Sequence, residues 1–315
     1  MEFFVLVRLK SKNLSTKKRT ELVSPKGFCV ATLDAGLEGL NLTDPALLSL
    51  VERNDPPLVF CRINKVFVAV IKRTRSSSET YNLRQMHLQL SSHCCAVLRA
   101  TDSILLMSYV RPFNHNPPVN TLKCLLTPYN HRYIPWPDKL VRSIVLQSIC
   151  LFIKLQDNAL EFTHNDFKSD NVMLEYTPYP ILDFGLLRMN CYCVRVVMID
   201  AETVSGAVYK TSPLLGKMSK SSMASFGLDF PFSPFTDFHL LCLELLYACK
   251  SFRPSWTAEF VQFLEEFGIP LQYFNHPYIT NENRLNGIGR IALKQLGRNF
   301  HGMLKSPFFA ELLVD

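Results

Sequence analysis

The sequence predicts an α+β fold. Two observations carry the expectation: β-branched and aromatic runs crowd between Leu58 and Val110, and apolar stripes at helical spacing dominate from Lys139 onward. A third is the stretch from Arg111 to Pro137, rich in Pro, Asn and His, which reads as a loop between the two regions.

The elements follow in order. Residues 1–57 form an irregular N-terminal extension to which the pattern assigns no role, closed by the turn Asn54-Asp55-Pro56-Pro57. Leu58–Ile63 and Val66–Ile71 are strand-like and flank Asn64-Lys65, so they predict a hairpin. From Glu79 to Leu90 a helix is expected, with Leu83, Met86, His87 and Leu90 on one face. Ile104–Val110 is the next strand candidate. Lys139–Leu155 is strongly helical, with Leu140, Ile144, Ile149 and Phe152 in its stripe. Val172-Met173-Leu174 and Val194–Ile199 read as strands, and Leu240–Cys249, Thr257–Phe267 and Arg290–Met303 as helices. The expected folded domain is 58–315, strand-rich over 58–110 and mainly helical over 111–315.

Composition narrows the function classes. A chain of 315 residues, 48% hydrophobic and 19% charged, holds a sizeable core. Its net charge of +7 suits an anionic ligand such as a nucleotide. Weak nucleic-acid binding would also fit. The densest basic group is Lys10–Arg19, but no RNP, zinc or basic-helix motif accompanies it, which argues against a nucleic-acid-binding protein. The ten cysteines include no CxxC pair and no zinc-ligand spacing, so they read as reduced, mostly buried thiols. The apolar start Phe3–Val7 is too short for a signal peptide, and no run reaches the roughly 18–20 apolar residues of a membrane span. An intracellular protein, cytoplasmic or nuclear, with no membrane partner is expected.

The segment His164-Asn165-Asp166-Phe167-Lys168-Ser169-Asp170-Asn171 carries the chemistry. Phosphoryl transfer to a hydroxyl needs a carboxylate to take the proton, a cation to offset charge on the moving phosphoryl, and oxygen ligands for magnesium. Asp166, Lys168 and Asn171 supply these types in that order, between a helix and a strand.

This segment resembles the catalytic loop of protein kinases, with Lys168 as the family's Ser/Thr-type feature. Asn165 stands where the family usually has Arg, which leaves docking of a phosphorylated activation loop in doubt. The Thr163–Asp166 wording is also similar to kinase-like proteins of large DNA viruses. Val68-Ala69-Val70-Ile71-Lys72 resembles the strand whose Lys binds the α- and β-phosphates and pairs with a helix Glu. Glu79 is the best partner, although its gap from Lys72 is short for the family.

Two residues compete for the magnesium-binding Asp. Asp183 opens a literal Asp-Phe-Gly at close to the family gap from Asn171, but Pro178 and Pro180 weaken the strand before it. Asp200 ends the better strand and lies at a normal activation-segment distance from Asp237. The complete tripeptide tips the choice to Asp183. Asp237-Phe238-His239-Leu240-Leu241 resembles the start of the large central helix, whose Asp braces the catalytic loop. Leu304–Phe309 resembles the family's closing segment.

The resemblance implies a bilobal kinase-like fold, ATP and Mg2+ as cofactors, and a protein substrate. Met107, Tyr109 and Val110 would lie near the hinge at the nucleotide. Departures exist: no glycine stands between Leu50 and Val66, where a phosphate-cradling loop is expected, and no Ala-Pro-Glu is present. A pseudokinase serving as a binding module is therefore the first rival. A small-molecule kinase is the second, opposed by Lys168.

Overall fold

The computed structural model describes residues 22–23, 29–33, 36–38, 40–53, 58–64, 66–74, 76–111, 121–122, 138–158, 162–214, 237–238, 241–242, 244–245, 257–267 and 300–315. Helix and strand are mixed. The strands are β1 (Leu22–Val23), β2 (Cys29–Leu33), β3 (Leu58–Ile63), β4 (Val66–Arg73), β5 (Val97–Ala100) and β6 (Ile104–Ser108), then β7 (Val172–Tyr176), β8 (Ile181–Asp183), β9 (Arg188–Asn190), β10 (Val194–Met198) and β11 (Leu313–Val314). The helices are α1 (Pro45–Arg53), α2 (Ser77–Leu90), α3 (Asp138–Asn158), α4 (Thr257–Glu266) and α5 (Phe300–Met303). Most of the stretch 111–137, residues 240, 243 and 246–249 of the expected Leu240–Cys249 helix and residues 290–299 of the expected Arg290–Met303 helix lie outside the described residues.

Six strands form one sheet in the order β1-β2-β3-β4-β6-β5. The hairpin β3–β4 is antiparallel, and Asn64 in its two-residue turn takes φ 48°, the left-handed conformation such a turn demands and Asn tolerates. β2 and β3 pair in parallel, Cys29 opposite Val59 and Leu33 opposite Ile63. Parallel neighbours need a crossover, and α1 supplies it. Residues treated above as an irregular extension thus add β1, β2 and α1 to this sheet. Leu47 and Val51 of α1 pack with Ala31, Val59, Cys61, Ala69, Ile71, Ile104 and Leu106, a core on one face of the sheet.

Alternation along β4 sends Val70 and Lys72 to the opposite face. Directly across from them stand Phe60 and Leu58 of β3, and Met107 and Leu105 of β6. Leu105 joins the largest core, with Leu83, Met86 and Leu90 of α2 and the length of α3. α3 is apolar nearly all round, from Val141 to Leu155, and is accordingly buried. The one long polar side chain fully buried in that stretch is accounted for: Gln147 Nε2 donates to Val194 O at 2.9 Å, and its Oε1 accepts the Val196 N–H at 2.8 Å. Gln147 thereby docks β10 on the helix without an orphaned polar group.

β7 and β10 form an antiparallel pair, Val172 opposite Met198 and Tyr176 opposite Val194. A short sheet, β11-β9-β8, holds the hairpin inserted between them. The expected closing segment is a turn after α5, a 3-10 stretch Pro307–Leu312 and β11. Arg142 of α3 anchors it, lying over the Phe308 ring at 4.7 Å and donating to Phe308 O at 3.0 Å. Among the described cysteines, Cys61, Cys94, Cys95, Cys150, Cys191 and Cys242 are free and buried, and Cys193 is free and partly buried. No described helix is long and apolar enough to cross a membrane.

Candidate functional site

The loop 164–171 leaves α3 and enters β7. Its backbone hangs on one carboxylate. Asp237 Oδ2 accepts the N–H of His164 at 2.6 Å and of Asn165 at 3.2 Å, and Oδ1 accepts the N–H of Phe167 at 3.4 Å. Asp237 is fully buried, which pushes its carboxyl up to about 7 against the opposing pull of those three N–H groups. The Phe167 ring is buried edge-on to Phe152 of α3, at 4.9 Å between centroids. The His164 ring meets Ile199 O at 3.2 Å, and burial holds its pKa down.

With the backbone fixed, three polar side chains of the loop converge. Lys168 Nζ lies 2.9 Å from Asp166, and Asn171 Nδ2 donates to Asp166 Oδ2 at 2.9 Å and to Asp166 O at 2.8 Å. Burial alone would lower the Lys168 pKa, but the Asp166 carboxylate outweighs it and raises it. Both partners remain partly exposed, so the cluster is reachable from solvent.

A second cluster comes from three distant elements. Lys72 Nζ, on β4, donates to Glu79 Oε1 at 2.7 Å and to Asp200 Oδ1 at 2.9 Å. Glu79 sits in the first turn of α2, where the helix dipole favours a carboxylate, and Ser76 caps that helix by accepting the Ser78 N–H. Burial disfavours charge on Lys72, yet Asp200 and Glu79 together raise its pKa. Glu79 is wholly buried, and burial pushes its pKa up in spite of Lys72. For Asp200 the attraction of Lys72 overcomes burial, and its pKa falls. Asp200 has φ 62°, a left-handed conformation uncommon for a residue other than glycine and frequent at functional sites.

The β7–β10 register joins the two clusters. The Ile199 N–H donates to Asn171 O at 3.1 Å, one step beyond the Val172–Met198 pair, so Asn171 and Asp200 flank the same end of the strand pair. Asp183 is not there. The β8–β9 hairpin leaves from the opposite end, beyond Tyr176 and Val194, roughly 17 Å of strand away. The expectation favouring Asp183 is corrected on this point: Asp200, not Asp183, is the Asp beside Lys72. The reason is turn chemistry. Asp183 is exposed, its Oδ1 accepts the Gly185 N–H at 2.7 Å, Phe184 N–H donates to Leu187 O, and Gly185 takes φ 77°. Asp-Phe-Gly here is an Asx turn closing a hairpin.

The remaining expected positions are Met107, Tyr109 and Val110. Met107, on the Lys72 face of β6, packs against a small cluster of Cys95, Val110, Met173 and Val197. Val110 belongs to that cluster. Tyr109 donates its N–H to Val68 O, and its ring meets Phe60 and Phe67 at centroid distances of 6.2 and 5.3 Å.

Several site residues escaped the sequence reading. Asn82 of α2 binds the segment after Asp200, Glu244 accepts the Ser169 N–H, and Asn165, marked in the sequence only as a departure from Arg, binds the segment after Asp200 as well. Asn82 had a faint signal, being a poor helix former inside a helix. Among the described residues no group of three His, Cys, Asp or Glu side chains is arranged to hold a metal ion.

No family model and no curated protein matches the chain. Among solved structures it is similar to the Rad53 kinase domain with SCD2, at 12% identity and a TM-score of 0.41, covering 78% of this chain and 80% of that one. It is also similar to WaaP in complex with acyl carrier protein, at 14% identity and a TM-score of 0.33, covering 66% of this chain and 79% of that one.

Proposed function

We propose that the protein is a phosphotransferase that moves the γ-phosphoryl of ATP to a hydroxyl, with Ser or Thr of a protein as the acceptor. One observation carries the reading: Lys72 is bonded to both Glu79 and Asp200, and the strand register sets Asp200 beside the Asp166–Lys168–Asn171 cluster. A fixed ammonium beside carboxylates and an amide suits a polyphosphate with its cation.

Each residue then has a role. Asp166 orients the acceptor hydroxyl and takes its proton. Lys168, already against Asp166, offsets charge on the phosphoryl group. Lys72 holds the α- and β-phosphates, and Glu79 holds Lys72. Asn171 points its amide nitrogen at Asp166, which leaves its carbonyl oxygen for a cation; with the Asp200 carboxylate it offers the hard oxygen ligands that Mg2+ prefers. Asn171 and Asp200 would hold that cation, which would screen the phosphate charge. The apolar surface around Met107, Val110 and Met173 suits a flat base. Such a nucleotide would lie between the six-stranded sheet and the β7–β10 pair, in a bilobal arrangement. Most of the rate would come from positioning and electrostatics.

A second reading, a binding module without turnover, is favoured by one feature. A crossover through α1 joins β2 to β3 where a glycine hairpin would cover phosphates, and Phe60 on the Lys72 face is only 3% exposed. The deciding experiment is ATP turnover with Mg2+ and a basic or Ser-rich protein acceptor, wild type against Asp166→Ala. Transfer that drops about 10²–10⁴-fold in the variant supports the phosphotransferase. A wild type that neither binds nor turns over nucleotide with any protein acceptor supports the binding module. Transfer to sugars or other small acceptors alone would reassign the substrate.

A further inference from the structure

The segment 201–210 follows Asp200 directly and is fixed on both sides by asparagines. On one side is Asn82. It lies one helical turn after Glu79, on the same buried face of α2, and is wholly buried. Its Nδ2 donates to Lys210 O at 2.9 Å and lies 3.4 Å from Ala201 O and 3.5 Å from Val204 O. Its Oδ1 accepts the Lys210 N–H at 2.8 Å. Neighbouring contacts reinforce the seam. Tyr209 Oη donates to Gln89 at 3.1 Å, and Lys210 lies over the Tyr81 ring at 4.6 Å.

On the other side is the catalytic loop. Asn165 takes φ 64°, and its Nδ2 donates to Thr203 O and Ser205 Oγ, each at 2.8 Å. Thr203 Oγ1 donates to His164 O at 3.0 Å, and Thr163 and Ser205 form a two-bond bridge. Apart from the Lys210 ammonium over Tyr81, these contacts are made by neutral amides, hydroxyls and backbone. None requires a phosphate or any other added charge.

We propose that Asn82 is a positioning residue: it clamps the segment after Asp200 to the helix that carries Glu79, so that Glu79, Lys72 and Asp200 are assembled without covalent modification of the chain. The inference deepens the phosphotransferase reading and rests on it. Asn165 completes the clamp from the catalytic loop. Because Glu79 and Asn82 share one helix face, releasing the segment from Asn82 frees α2 to shift and takes Glu79 away from Lys72. The described contacts therefore hold the three side chains together in the unmodified chain.

The test uses the full chain, treated with phosphatase and shown by intact mass to carry no phosphate. The readout is the rate at which Lys72 is acetylated by an amine-reactive ester at pH 8, measured by peptide mass spectrometry well below the unfolding temperature. An ammonium paired with two carboxylates is a poor nucleophile; losing one partner returns it toward ordinary reactivity. Wild type should be protected, and Asn82→Ala should react about tenfold faster. Met189→Ala, a cavity in the core away from the seam, should stay at the wild-type rate. Where the alanine variant does not fold, Asn82→Asp keeps the size and the acceptor oxygen, removes the donors, and should show the same rise. A folded Asn82 variant at the wild-type rate overturns the proposal, as does an equal rise in Met189→Ala or a fast unphosphorylated wild type. In the same samples ATP turnover is followed, with kcat falling about tenfold in Asn82→Ala. Wild-type protein without turnover would sink the functional reading, while Lys72 protection still decides the clamp.

Discussion

Lys72 Nζ and Asp200 Oδ1 lie 2.9 Å apart although 128 positions separate them in the chain. The contact ties the six-stranded sheet to the end of β10 and gives Asp200 a neighbour that Asp183 lacks. Asp200→Asn should therefore lower Mg2+-dependent turnover by at least about 10²-fold. Asp183→Asn preserves the turn and should stay within about twofold of wild type. Steady-state kinetics of the two variants side by side would reveal the reverse order, which would move the cation ligand to the hairpin.

Asp237 is the shared acceptor of three backbone N–H groups. In Asp237→Ala these buried donors lose their partner, and the expected loss is about 3 kcal/mol or more in urea unfolding. Asp237→Asn keeps one acceptor oxygen and should lose less. A loss under about 0.5 kcal/mol for the alanine variant would mean that the loop is held by other contacts.

His93 couples stability to pH. Burial lowers its pKa to about 4, against the help of Val196 O, which its Nδ1 meets at 2.8 Å. The unfolded chain binds the proton near the ordinary pKa of about 6.5, so between the two values it holds more protons than the folded one. The His93 contribution is then full above about pH 6.5 and is lost as pH falls toward 4, on the order of 3 kcal/mol. Urea unfolding from pH 7 to pH 4.5 should show this slope, and His93→Gln should flatten it. An unchanged slope would assign the acid sensitivity to other groups.

Phe152 links core and loop. Its ring stacks on Phe300 at 5.6 Å and meets Phe167 at 4.9 Å, between Asp166 and Lys168 in sequence. Phe152→Ala should cost about 3–5 kcal/mol and lower kcat as well. Phe263→Ala, among Phe260, Phe308 and Phe309, should cost a similar amount and leave kcat within about twofold. Equal effects on kcat would mean that Phe167 senses only global stability.

What could be read from the chain depended on whether the signal was local. The hairpin around Asn64, α2, α3, α4 and β10 follow from periodicity and turn residues within a few positions, and each is where the pattern put it. The meeting of Lys72 with Glu79 was legible because a strand lysine and a helix-start carboxylate were each marked by their own element. β1, β2 and α1 were not. β1 is only two residues long, β2 is a single short run, and the parallel partner of β2 lies beyond an intervening helix. The expectation that Asp183 would stand beside Lys72 and Asn171 failed for a different reason. Asp-Phe-Gly is also good turn chemistry, and three letters cannot say which end of a strand pair they occupy. Asn82 and Asn165 act almost entirely on backbone atoms far along the chain, which leaves no residue-type signature at the other end.

The parallel seam between β2 and β3 bears on how the molecule could be shortened. A chain starting at Leu58 would keep every proposed catalytic side chain, yet it would strip β3 of its neighbour and the inner face of the sheet of α1. The bare row of backbone donors and acceptors along Leu58-Val59-Phe60-Cys61 would then sit next to uncovered Val59, Cys61, Ala69 and Ile71. Such a fragment is expected to self-associate edge to edge, and its loss of activity would report aggregation rather than missing chemistry.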